Sequence, residues 1–193
     1  MSTWSKRRQL VAIAAACLVA SMAPPAAAGA RKPDTIDREV LSCITRVAGG
    51  RTWLGKTLWA LGEQEGGWVG AKVANRDGSY DLGPLQINSW WIPRLAAATG
   101  KSQGDVAWWL QNDACFNVDA ARWIFLSALG VTHDYWRAIG VYHSPTAWRQ
   151  RRYALAVAGH LKRRFGPAIF DADRARSEMA PKRSNAPVGP RVE

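Results

Sequence analysis

The sequence predicts an all-α protein with a single domain of about 135 residues, ample for one core. Three observations predict it. Apolar residues recur three and four apart in segment after segment, the period of a helix with one buried face. Those segments are bracketed by Ser, Asp or Asn before and Gly after, the residues that start and stop helices. No stretch alternates with the period of two expected of strands except, faintly, Gly66 to Val73, so the 66–82 loop leaves room for a small β-ribbon.

The chain opens with Lys6-Arg7-Arg8, an apolar run from Leu10 to Met22, and Ala26-Ala27-Ala28 before Gly29. A positive start, an apolar run too short to span a bilayer comfortably and a small-residue cleavage site describe a secretory signal peptide over 1–28. The mature chain then begins at Gly29 or Arg31. Cys17 as a lipoprotein cysteine and an uncleaved anchor are the weaker alternatives.

Asp34 is placed to cap a first helix whose apolar positions are Ile36, Val40, Ile44 and Val47, with Gly49-Gly50 as its stop. A second helix covers about Thr52 to Gln64. Gly66 to Leu82 is a loop with the turn cluster Asn75-Arg76-Asp77-Gly78-Ser79. A short helix is predicted to restart at Gly83-Pro84-Leu85-Gln86, with Pro84 in its first turn. Pro93 to Thr99 follows, closed by Gly100. Ser102 and Asp105 have capping-box spacing for a helix through Leu110. Asn117 caps a helix with Val118, Ala121, Phe125 and Leu129 as its buried stripe and Gly130 as its stop. Asp134 starts a helix to about Val141. A last helix, about Ala147 to Phe165, buries Ala154, Val157 and Leu161 and ends at Gly166-Pro167. Domain residues are therefore 29–168. The remainder, 169–193, is rich in Arg, Pro, Ala and Ser, and reads as a basic, disordered tail.

Glu65 is the residue that does not fit a purely structural reading. Leu54, Leu58, Leu61 and Glu65 follow one another at helical spacings, so Glu65 continues an apolar stripe. A carboxyl group there is poorly solvated, which favours its protonated form and suits a general acid near neutral pH. A carboxylate at a helix C-terminus also opposes the macrodipole. Glu63, about 200° round at about 100° per residue, points away and reads as a solvated surface residue.

The full chain carries 26 basic and 15 acidic residues, net +11. Loss of residues 1–28 removes three basic residues and no acidic one, leaving a net charge of +8. Such a surface suits a polyanion such as a bacterial envelope or anionic lipid. Export argues against nucleic acid as a partner. Cys17 leaves with the signal, and Cys43 and Cys115 in an exported chain are most economically a disulfide. Two free buried thiols are the alternative. His133, His143 and His160 have no metal-ligand spacing with other ligating residues, so neither a structural metal nor another cofactor is expected.

Three later features fall in a telling order. Gly83-Pro84-Leu85-Gln86-Ile87-Asn88 offers the amides of Gln86 and Asn88, which both donate to and accept from sugar hydroxyls and N-acetyl groups. Val141-Tyr142-His143-Ser144-Pro145 sets a phenol and an imidazole at a helix end, and Tyr153 adds a phenol on the last helix. With Glu65-Gly66-Gly67-Trp68, this order resembles the bacterial lytic transglycosylases of the soluble type, whose motifs read E-S-G-F, G-L-M-Q, A-Y-N-S-G and a tyrosine in the final helix. The resemblance covers about Leu41 to Phe165. Ser79-Tyr80-Asp81-Leu82-Gly83, Gln86-Ile87-Asn88 and Asp113-Ala114-Cys115-Phe116-Asn117-Val118, with Cys43 upstream, look most like the small transglycosylases that accompany type III and type IV secretion or conjugation machinery. Gly66 in place of serine, Pro84 within the second motif and His143 in place of asparagine are departures.

The resemblance implies a mainly helical, lysozyme-like fold of the goose-type class, a Cys43–Cys115 disulfide and a periplasmic enzyme of a Gram-negative bacterium, acting on peptidoglycan strands without stable membrane insertion. Glu65 would cleave the bond between N-acetylmuramic acid and N-acetylglucosamine, giving a 1,6-anhydro sugar. Tyr80, Gln86, Asn88, Tyr142, His143, Ser144 and Tyr153 would contact substrate, with Tyr142 and Gln86 orienting Glu65 or the acetamido group. A hydrolytic muramidase with Asp77 or Asp81 as second carboxylate is the nearest rival. A non-catalytic wall-binding module and a basic antimicrobial protein are the others.

Overall fold

The computed structural model describes residues 36–171, and these belong to one compact unit. The predicted signal peptide, Cys17, Asp34 and the tail beyond Asp171 lie outside the described residues.

Among the described residues seven α-helices form where the apolar period places them: α1 (Arg38–Ala48), α2 (Thr52–Glu65), α3 (Ile92–Thr99), α4 (Gln103–Asn112), α5 (Ala114–Thr132), α6 (Tyr135–His143) and α7 (Ala147–Phe165). The first is capped by Asp37, whose side chain accepts from the Glu39 N–H, and ends at Gly49 in the left-handed conformation. Ser102 caps α4 as expected: its Oγ accepts from the Asp105 N–H, and it also donates to the Asp105 carboxylate, a side-chain bond in place of the capping box's return bond to the Ser102 N–H. Gly100 closes α3, Asp134 caps α6, and α7 has the predicted bounds.

Four predictions fail along this frame, the first being the cap of α1, which is Asp37 rather than Asp34. Asn117 does not cap α5; Asp113 does, accepting from the N–H groups of Cys115 and Phe116. Gly130 does not stop that helix, which runs on to Thr132 and ends at His133 in the left-handed region, φ 51°. Glu63 is not freely solvated: it is half-buried, and its Oε1 accepts from the Ile36 N–H at 3.3 Å.

The core is built around α5, which packs against α1, α4 and α6 and touches α2. Among the described helices it is the one long and apolar enough to cross a membrane, but Val118, Ala121, Ile124 and Phe125 on it are buried in the core. Leu54, Leu58 and Leu61 of α2 are fully buried, as the stripe predicted. α7 lies against both α2 and α6. The Cys43–Cys115 disulfide, Cα atoms 4.9 Å apart across 72 residues of sequence, ties α1 to the start of α5. Closing a loop of that length contributes roughly 3–5 kcal/mol in the chain-entropy picture.

The ribbon is larger than the sequence foresaw. β1 (Lys72–Ala74), β2 (Tyr80–Leu82) and β3 (Ile87–Asn88) form an antiparallel sheet in that order, with Val73 opposite Asp81 and Leu82 opposite Ile87. No helix restarts at Gly83. The Gln86 N–H returns to the Gly83 carbonyl at 3.2 Å, so 83–86 is a turn with Pro84 in its second position, where the fixed φ of proline is tolerated. Positive φ at both ends, 68° at Gly83 and 48° at Gln86, makes helix impossible and delivers the chain into β3. The architecture is mainly helical with a small sheet, the lysozyme-like fold class.

Candidate active site

Glu65 is the last residue of α2, where Gly66 takes the left-handed conformation, φ 56°, and its N–H caps the Gly62 carbonyl. The carboxylate is half-buried and accepts a hydrogen bond from the Tyr153 hydroxyl at 2.6 Å. Tyr153, buried in α7, brings that phenol across 88 residues of sequence. Burial pushes the Tyr153 hydroxyl well above its ordinary pKa, and the charges of Glu65 and Tyr142 and the bond to Glu65 push the same way. Tyr153 is therefore a protonated donor throughout the neutral range.

The loop behind Glu65 is locked onto the 83–86 turn by the absence of a side chain. A Cβ on Gly67 would collide with the carbonyl oxygens of Gly83 and Pro84 and with the Gln86 amide. Gly83 in turn sits against the Leu110 carbonyl and the Asn117 side chain, leaving no room for a Cβ there either. Two polar side chains clamp Leu85 between them. Its N–H donates to Asn117 Oδ1 at 2.9 Å, and its carbonyl accepts from the Tyr142 hydroxyl at 2.9 Å. Asn117 also donates to the carbonyls of Leu82 and Leu110 at 2.8 and 2.7 Å, so one fully buried amide fixes both sides of the turn.

The structure thus brings Glu65, Tyr153, Tyr142, His143 and Gln86 together. It also redistributes their roles. Tyr142 donates its hydroxyl proton to the Leu85 carbonyl, and Tyr153 donates to Glu65. Burial, and then the charges of Glu65 and Asp81, hold the Tyr142 hydroxyl well above its usual pKa. His143 stacks on the Tyr153 ring, centroids 4.4 Å apart and planes 5° from parallel. Partial burial, with Arg149 adding to it and Asp81 opposing, lowers its pKa and favours the neutral imidazole. Gln86 donates from Nε2 to the Gly83 carbonyl at 2.7 Å, bracing its own turn.

The other predicted contacts lie in the scaffold. Asn88 donates to Ser79 Oγ and Asp81 Oδ1, each at 2.9 Å, and accepts from the Trp90 N–H, so it welds the ribbon. Ser144 is buried, and its Oγ accepts from the Thr146 N–H in the α6–α7 connection. Tyr80 is exposed on β2, with the Lys72 ammonium 4.3 Å from its ring centroid. Asp77 sits in the exposed hairpin turn, where bonds from the Ser79 hydroxyl and N–H lower its pKa. Among the described residues no three His, Cys, Asp or Glu side chains converge to hold a metal ion.

Asn117 and Gly67 are the site-building residues that sequence reasoning missed. A signal for Asn117 existed: it lies on the face of Ala121, Ile124 and Ala128, a polar residue on an apolar stripe, just as Glu65 is. Gly67 carried no such mark, because its requirement comes from a turn sixteen residues away.

A lysozyme-like helical protein with a carboxylate at the junction of α2 and the ribbon, held by a buried tyrosine, is the class this fold and site define. No family model matches the chain. It is 30% identical over 129 residues to the invasion protein IagB of Salmonella typhi, covering 66% of this chain and 72% of that protein. The invasion protein IagB of Salmonella typhimurium strain LT2 is 30% identical over 130 residues, covering 65% of this chain and 78% of the relative. The chain belongs to the IagB family of invasion proteins.

Proposed function

We propose that the protein is a peptidoglycan lytic transglycosylase with Glu65 as its single acid and base. The observation that carries this reading is the Tyr153–Glu65 hydrogen bond at the seam between α2 and the ribbon. A phenol donating to Oε1 orients the carboxyl group for proton transfer. Glu65 would give that proton to the glycosidic oxygen between N-acetylmuramic acid and N-acetylglucosamine, breaking the bond at the anomeric carbon. It would then take the proton of the muramic acid 6-hydroxyl as that oxygen closes on the same carbon, giving a 1,6-anhydro sugar. No water is consumed. The N-acetyl group of the substrate can stabilise the intermediate, so no second enzymic carboxylate is required.

The signal-peptide pattern over 1–28 supports export, with 29–168 as the catalytic domain and the periplasm as the place of action. Relatives named as invasion proteins support local opening of the wall for a secretion or conjugation apparatus, with peptidoglycan and that apparatus as partners. One observation favours a second reading, a hydrolytic muramidase: the Asp81 charge acts on both Tyr142 and His143, so it borders the same site. Mass spectrometry of digested sacculi separates the two. Anhydromuramic ends from the wild type, and none from Glu65→Gln, are expected; reducing muramic ends alone would refute the transglycosylase. Unchanged lysis by Glu65→Gln would remove Glu65 from the chemistry, and wall binding without cleavage by the wild type would leave a binding module.

A further inference from the structure

The outward face of α7 has no part in the site. Trp148, Arg151, Arg152, Leu155, Gly159, Lys162 and Arg163 fall within roughly 120° of arc at about 100° per residue. Trp148 and Leu155 are 54% and 74% exposed, and the four cations are exposed as well. The apolar pair runs down the middle of this face, and the cations flank it on both sides. α7 contains no Asp or Glu. Among the described residues the ion pair present is Arg122–Asp119 on α5, and none joins this face to a carboxylate of a neighbouring element. Arg163 Nη2 lies 3.0 Å from His160 Nδ1 on the same helix.

We propose that this face of α7 docks the protein on an anionic lipid surface. Flanking Arg and Lys side chains meet headgroup charges, while Trp148 and Leu155 enter the boundary between headgroups and acyl chains. A soluble polyanion or an acidic protein would satisfy the cations equally. Neither explains a leucine three-quarters exposed along the centre of the cationic face. Tyr153 lies about 140° round the helix from Trp148, so occupation of this face leaves the Tyr153–Glu65 contact uncovered. Such tethering would hold the site within reach of the wall next to the membrane. The inference does not depend on the chemistry assigned to Glu65.

Flotation of the chain from Gly29 onward with vesicles tests it. Binding is expected to vesicles containing about one-third phosphatidylglycerol, to weaken as salt is raised, and to be absent with phosphatidylcholine alone. Replacing Arg151, Arg152, Lys162 and Arg163 together by Gln is expected to reduce binding at least about tenfold, and Trp148→Ser with Leu155→Ser several-fold, each without change in thermal unfolding. Equal binding to neutral vesicles, or full binding by the four-Gln variant, would overturn the proposal. Retention of vesicle binding by the Trp148/Leu155 double variant, with competition by polyglutamate, would make the face a polyanion or acidic-protein site instead.

Discussion

The helical frame and the ribbon that faces it are held together by different physics. In the frame, Leu54, Leu58, Leu61, Val118, Ile124 and Phe125 are all but inaccessible, and each buried aliphatic or aromatic side chain contributes roughly 1.5–3 kcal/mol. The ribbon and its turn bury little beyond Ala71, Leu82, Leu85 and Ile87. They are positioned by directed bonds: Asn117 to three backbone groups, Tyr142 to Leu85, and Gln111, which exchanges bonds with Gly70 through both its backbone and its side chain. Glu65 stands where the two meet. Non-directional burial makes a rigid platform tolerant of small changes, whereas a few hydrogen bonds set an exact position and fail one at a time.

That difference can be broken or sharpened by mutation. Glu65→Gln removes the proposed acid without removing packing; lysis of sacculi is expected to fall by about 10²–10⁴-fold, while the midpoint of thermal unfolding stays put. Next comes a matched pair. Leu58→Ala should cost about 2–5 kcal/mol of stability in denaturant titrations and leave the activity of each folded molecule near wild type. Asn117→Ala orphans three buried backbone groups at about 1–3 kcal/mol each, and it should reduce activity per folded molecule as well. Equal losses of activity per folded molecule in the two variants would mean that the ribbon is not independently positioned.

The two phenols give smaller effects of opposite kind. Tyr153→Phe removes the donor to Glu65, and is expected to slow lysis about tenfold or more, with a stability change near 1 kcal/mol. Tyr142→Phe frees Leu85 and should act mainly through the turn. Both hydroxyls have pKa values raised well above 10.0 in the fold, so the folded state holds protons that the unfolded chain gives up. The stability from keeping them neutral is complete below pH 10.0 and is lost as pH rises through the folded values. Urea titrations above pH 10.0 should therefore show a steeper loss in the wild type than in Tyr142→Phe or Tyr153→Phe. The smallest effect belongs to His143, whose pKa is lowered from 6.5. Stability from its neutral form is complete above pH 6.5 and is lost as pH falls through the folded value, so His143→Asn should flatten the acid limb.

The sequence by itself determined most of the helices and the placement of Glu65. Apolar stripes with Gly, Ser and Asp at their ends fix α3, α4, α6 and α7 nearly to the residue, because a helix is specified by neighbours no more than four positions away. The same local period set Glu65 on a buried face, and export with two cysteines pointed to the Cys43–Cys115 bridge. Only the tertiary structure decided how the site is assembled. That Tyr153 donates to Glu65 while Tyr142 donates to Leu85, and that Asn117 holds the 83–86 turn, depend on partners dozens of residues distant. A hydrogen bond between remote segments leaves no periodicity in either of them. It becomes visible when burial of the stripes has brought the two segments together.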